Sequence, residues 1–152
     1  LQARILEGDL HMRKFVVALF SCAVLSAVIV ANSPSEASAQ TLSGEAVVAE
    51  AQSYIGTPYG AGGLDCSGFT SAVYANLGVS LPDDPVAQYG YGVPSEGAAG
   101  DLVFFDEAGY GISHVGIATG YGTVIHASTY YGTITETPIS QVPGYVGAVD
   151  PA

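Results

Sequence analysis

Apolar residues change their spacing near the middle of the chain, from a helical period to short runs of strand formers. After Ser43, the residues Val47, Val48, Ala51, Tyr54 and Ile55 share one helix face, which predicts a first helix over about Gly44 to Ile55. Gly56-Thr57-Pro58-Tyr59-Gly60-Ala61-Gly62-Gly63 cannot continue that helix and reads as a turn-rich loop. From Cys66 the positions Phe69, Thr70, Val73, Tyr74 and Leu77 again have helical spacing, and Gly78 is placed to stop the helix, so Cys66 falls in its first turn. Leu81-Pro82-Asp83-Asp84-Pro85 opens a short helical turn carrying Val86 and Gln88, and a glycine-rich loop follows up to Gly100. Beyond it, Leu102 to Phe105, Val115 to Ala118, Val124 to Ala127, Thr133 to Thr137 and Tyr145 to Val149 are β-prone runs separated by glycine-containing turns. Helices first and an antiparallel sheet afterwards make this an α+β domain.

The length of 152 residues suits one such domain once the N-terminal stretch is set aside. Met12, Arg13 and Lys14 give a basic start, Phe15 to Ala31 an apolar run, and Ala37-Ser38-Ala39 a small-residue site suited to a signal peptidase. Residues 1–39 are therefore expected to be an upstream extension and a secretory signal peptide, cleaved before Gln40, and residues 40–152 the working domain. The apolar run is also near the lower limit for a membrane span, so no membrane attachment is expected after processing. Cys22 reads as an ordinary residue of the signal, because bulky Phe20 is unfavourable at a lipoprotein acylation site.

Charge narrows the function further. All three basic residues, Arg4, Arg13 and Lys14, precede the expected cleavage point, so the domain itself is acidic without a lysine or arginine. Nucleic-acid binding needs such residues to neutralise phosphates, and a basic patch for anionic lipid or wall polymer is equally absent. A ligand bearing ammonium groups suits this surface better, although acidity also serves solubility alone.

The domain keeps a single cysteine, Cys66, in an exporting context where structural cysteines come in pairs. A thiol at a helix N-terminus near an imidazolium is expected to be activated as its thiolate. His114 and His126 bracket Gly120-Tyr121-Gly122 in what reads as a β-hairpin. With Tyr121 at its centre, His114 lies opposite Ser128, and His126 becomes the diagonal neighbour of His114 on the same sheet face. A one-residue slip in register would separate them. This is the logic of a nucleophile, a base and an orienting group: Cys66, His114 and His126. Each residue alone has a plainer reading as packing or a satisfied polar group, and the three together could ligate zinc.

In order and spacing the motifs resemble those of the NlpC/p60 family of cell-wall peptidases. They are Gly56-Thr57-Pro58-Tyr59, Asp65-Cys66-Ser67-Gly68-Phe69, Leu81-Pro82, Gln88, Gly100-Asp101-Leu102-Val103-Phe104-Phe105, His114-Val115-Gly116-Ile117 and Ile125-His126-Ala127. The resemblance spans about Val47 to Val149 and implies a papain-like α+β fold. It implies hydrolysis of the bond between D-γ-glutamate and diaminopimelate or lysine in peptidoglycan stem peptides, with no metal or organic cofactor. By matching position Cys66 is the nucleophile, His114 the base and His126 the third polar residue. Tyr59 is expected beside the oxyanion site, with the Cys66 backbone N–H as a donor. Asp65 and Ser67 are expected to face a free L-alanine amine, while Asp65 has an alternative role as a helix cap. Asp101 reads as a turn residue.

Three departures stand out: Ala99 in place of the usual proline, a short loop between Gly63 and Asp65, and the missing basic residues. Two other functions stay open at this point. One is a wall-peptide binding domain without turnover; the other is an amidase or acyltransferase using the same thioester chemistry, since fold and triad do not fix the substrate.

Overall fold

The computed structural model describes residues 42–151. The expected signal segment, residues 1–39, and its cleavage point before Gln40 lie outside the described residues.

Helix α1, Gly44–Gln52, begins where the Ser43 hydroxyl accepts the Ala46 N–H at 3.2 Å. It stops three residues short of the predicted end. Ser53, Tyr54 and Ile55 donate to Glu50, Ala51 and Gln52, a tightened i→i−3 pattern. Gly56 then leaves this turn to donate to the Ile134 carbonyl at 2.9 Å, tying the following loop to the sheet. Helix α2, Cys66–Asn76, is capped by Asp65, and α3, Pro85–Tyr89, by Asp84 with proline in its first turn.

Six strands follow: β1 Val93–Ser95, β2 Leu102–Phe105, β3 His114–Ala118, β4 Thr123–Ser128, β5 Thr133–Pro138 and β6 Tyr145–Asp150. They form one sheet in the order β1-β6-β2-β3-β4-β5, with every neighbouring pair antiparallel. The α+β expectation holds. Strand β1 was not expected; it contains Pro94 and sits at the sheet edge, where a missing N–H is tolerated.

Alternation along β2 explains how the sheet buries both faces. Leu102 and Phe104 join Val47, Phe69, Val73, Tyr74, Val115, Ile117, Ile125 and Ile134 in the core that the helices cover. Val103 and Phe105 point the other way, packing with Ala118, Val124, Val142 and Ala148. Burying each large apolar side chain contributes ~1.5–3 kcal/mol relative to exposure. On β3 and β4 the same alternation sets His114 and His126 on the second face, against Phe105, whose ring lies 5.9 Å from that of His114.

Candidate active site

The β3-β4 register pairs Ile117 with Ile125 and Ala118 with Val124, the pairing required by a turn centred on Tyr121. His114 and His126 are thereby diagonal neighbours, and His114 Nε2 lies 2.7 Å from His126 Nδ1. Gly116 lets the strands come this close: a Cβ there would sit 2.5 Å from Val124 Cγ2 and 2.8 Å from His126 Cβ. Beyond the pair, His126 Nε2 lies 3.0 Å from Thr137 Oγ1 on β5. The sequence offered no signal for Thr137, whose contact depends on β5 pairing beside β4. Both residues are 4% exposed.

Two tautomer chains satisfy these contacts. If His126 Nε2–H donates to Thr137, His126 Nδ1 accepts from His114 Nε2–H, and His114 Nδ1 keeps a free lone pair. If Thr137 donates instead, the order reverses and His114 Nδ1 carries the proton.

Cys66 is the first residue of α2, and its Sγ lies 4.0 Å from the carbonyl oxygen of Ser113, the residue before His114. The first turn of α2 and the start of β3 therefore meet. Among the described residues no hydrogen bond joins the thiol to the His114 ring; the thiol points at the Ser113 carbonyl instead. Gly68 allows the first turn of α2 to lie against the preceding loop, because a Cβ at this position would fall 2.0 Å from the Gly63 carbonyl oxygen.

The resting electrostatics correct one expectation. Burial and the Asp65 carboxylate push the Cys66 thiol above its ordinary value, although the backbone N–H groups of Val115, Ser67 and Cys66 act in the opposite direction. Burial and the neighbouring His126 push His114 down to about 4, and burial pushes His126 down to about 4. Near pH 7 these shifts favour a neutral thiol and two neutral imidazoles, so burial outweighs the pull of the helix N-terminus toward the thiolate.

Asp65 caps α2, accepting the Gly68 N–H at 2.8 Å. Ser67 is buried, with its hydroxyl 2.9 Å from Asp83 Oδ1 and 3.4 Å from Asp65 Oδ1. Tyr59 is 38% exposed on the loop, its backbone N–H donating to the Gly132 carbonyl at 2.9 Å. Its phenol is raised by burial, then by the charges of Cys66, Asp65 and Glu107. Gln88, fully buried, braces the turn behind Cys66: its amide donates to the Pro82 carbonyl at 2.7 Å, Ser71 Oγ at 3.0 Å and the Ser67 carbonyl at 3.1 Å. It also accepts from Thr70 Oγ1 at 2.8 Å. Asp101 accepts the Ala98 N–H at 2.7 Å, a turn contact. Among the described residues no cluster of three or more His, Cys, Asp or Glu is arranged to hold a metal ion.

The NlpC/P60 family model matches residues 56–144, more than half of the chain. The chain belongs to the NlpC/P60 family. A probable endopeptidase of Corynebacterium glutamicum is 37% identical over 125 residues, covering 77% of this chain and 58% of the relative. The probable endopeptidase p60 of Listeria innocua is 49% identical over 90 residues, 54% of this chain and 19% of that relative. This NlpC/P60 chain thus spans little more than half of one curated relative and under a fifth of the other. Among solved structures, the NlpC/p60 domain of the peptidoglycan hydrolase SagA superposes with a TM-score of 0.61 at 39% identity, covering 72% of this chain and 99% of that one. The six-stranded sheet and its helices are the NlpC/P60 fold.

Proposed function

We propose that this NlpC/P60 domain is an exported, wall-directed peptidoglycan endopeptidase that cleaves stem peptides between D-γ-glutamate and the following diamino acid. Supporting this reading is the buried Thr137, His126 and His114 chain, whose last member directly follows Ser113, the residue whose carbonyl faces the only cysteine of residues 40–152. The related endopeptidases add to it.

In the first tautomer chain, His114 Nδ1 is the base. A side-chain rotation takes Cys66 Sγ from the Ser113 carbonyl toward that nitrogen. Sγ attacks the γ-glutamyl carbonyl carbon as its proton passes to His114, and the backbone N–H of Cys66 donates to the developing oxyanion. The C–N bond then breaks, the proton moves from His114 to the leaving amine, and a thioester remains on Cys66. Water loses a proton to His114, attacks the thioester and releases the peptide acid, and the thiol regains its proton. Asp65 faces the free L-alanine amine on the acyl side.

Steady-state cleavage of a stem tetrapeptide tests these roles. Cys66→Ala should abolish turnover, and His114→Ala should lower kcat by ~10²–10⁴-fold, each with an unchanged circular dichroism spectrum. Full activity in either folded variant would refute the reading.

A further inference from the structure

Beside His126, on the face of the sheet away from the helices, opens a cleft of about 400 Å³ lined by Glu107, His126, Ser128, Tyr130, Tyr131 and Thr137, among others. Glu107 belongs to the loop between β2 and β3, and its backbone N–H donates to Ser113 Oγ at 3.2 Å. Ser113 is the residue whose carbonyl faces the Cys66 thiol. Glu107 therefore enters the cleft from the strand end that carries the reacting groups. Its side chain is exposed, its carboxylate has no hydrogen-bond or cationic partner among the described residues, and the desolvation it does undergo raises its pKa. Tyr130 and Tyr131, both exposed, stand on the β4-β5 turn and line the same cleft, their rings 4.9 Å apart and edge to face.

We propose that Glu107, with Tyr130 and Tyr131, receives the side-chain ammonium of the diamino acid on the leaving-group side, and that this cleft selects lysine or amidated diaminopimelate over the free diacid. The assignment rests on the endopeptidase reading for the identity of the peptide. A carboxylate and two tyrosine rings lining one cleft can receive a cation, through a charge-assisted hydrogen bond and cation-π attraction. An unmodified diaminopimelate brings a second carboxylate to the same place. No lysine or arginine exists between residues 15 and 152 to meet it, and Glu107 repels it. Asp65 and Glu107 thus divide the substrate, one taking the amine before the scissile bond and the other the amine beyond it.

The test measures tetrapeptide affinity by calorimetry on the non-cleaving Cys66→Ala protein, and cleavage rates on the otherwise native protein. Four peptides differ only at the third residue: lysine, amidated diaminopimelate, free diaminopimelate and uncharged norleucine. Lysine and amidated diaminopimelate should bind about tenfold more tightly than the other two, as one charge-assisted contact allows. Adding Glu107→Gln should bring the four within about twofold, while Glu96→Gln, an equal charge loss at a residue that does not line the cleft, should leave the preference intact. Equal binding of all four, a preference that survives Glu107→Gln, or no binding at all would overturn the assignment. If the preference appears but no peptide is cleaved, the assignment stands and the endopeptidase reading fails. If cleavage proceeds with rates indifferent to Glu107, the reading stands and the assignment fails.

Discussion

Around Cys66, burial and the Asp65 carboxylate outweigh the three backbone N–H groups that favour the thiolate. The thiolate fraction near pH 7 is therefore lower than for a free cysteine, whose pKa is about 8.5. Iodoacetamide should alkylate Cys66 more slowly than a cysteine peptide at pH 7, with a rate still climbing above pH 9; a plateau reached below pH 8 would show a stabilised thiolate. Cys66 was readable as a candidate nucleophile because it stands alone in the domain and opens a helical pattern. Its protonation state was not, since that depends on burial and on the Val115 amide, brought from a distant strand. Ser67 makes the same point: its neighbour Asp83 became visible only once the segment before α3 folded over the first turn of α2.

Pairing between β3 and β4 is the element on which the imidazole contact depends. Gly120-Tyr121-Gly122 announced the turn, and its centre was enough to give the register and hence the diagonal histidines. Gly116→Ala should force β4 outward, because a Cβ there overlaps both Val124 and His126. The expected outcome is a loss of ~1–3 kcal/mol in denaturant unfolding, together with a fall in kcat larger than the change in KM. Unchanged stability and unchanged kcat would mean the strands accommodate the methyl group without moving the rings. Elements whose partners lie far away were harder to read. Pro94 and the surrounding glycines hid β1, which exists only because β6 pairs with it. The end of α1 was overestimated because Tyr54 and Ile55 continue the apolar spacing while their N–H groups already bond in a tighter turn. Gln88 appeared as a motif position, but its bracing of Ser67 and Pro82 depends on three segments meeting.

At the scale of the whole molecule, burial of two neutral imidazoles links stability to pH. Both have folded values near 4 against an ordinary 6.5, so the unfolded chain binds more protons between those limits. Their contribution is fully present above about pH 6.5 and is lost as pH falls toward about 4. Denaturant midpoints should decline across that window, and His114→Gln with His126→Gln should remove that part of the decline; an identical slope in the double variant would contradict the neutral pair. The absence of lysine and arginine beyond residue 14 was plain in the sequence. Glu107 carried no motif and acquired meaning only from the cleft beside His126. The most direct measurement of the central claim is mass spectrometry of stem tetrapeptides incubated with the protein and with its Cys66→Ala variant. Scission between γ-glutamate and the diamino acid by the native protein alone is the predicted result. An intact peptide with folded native protein, or equal scission by the variant, would contradict it.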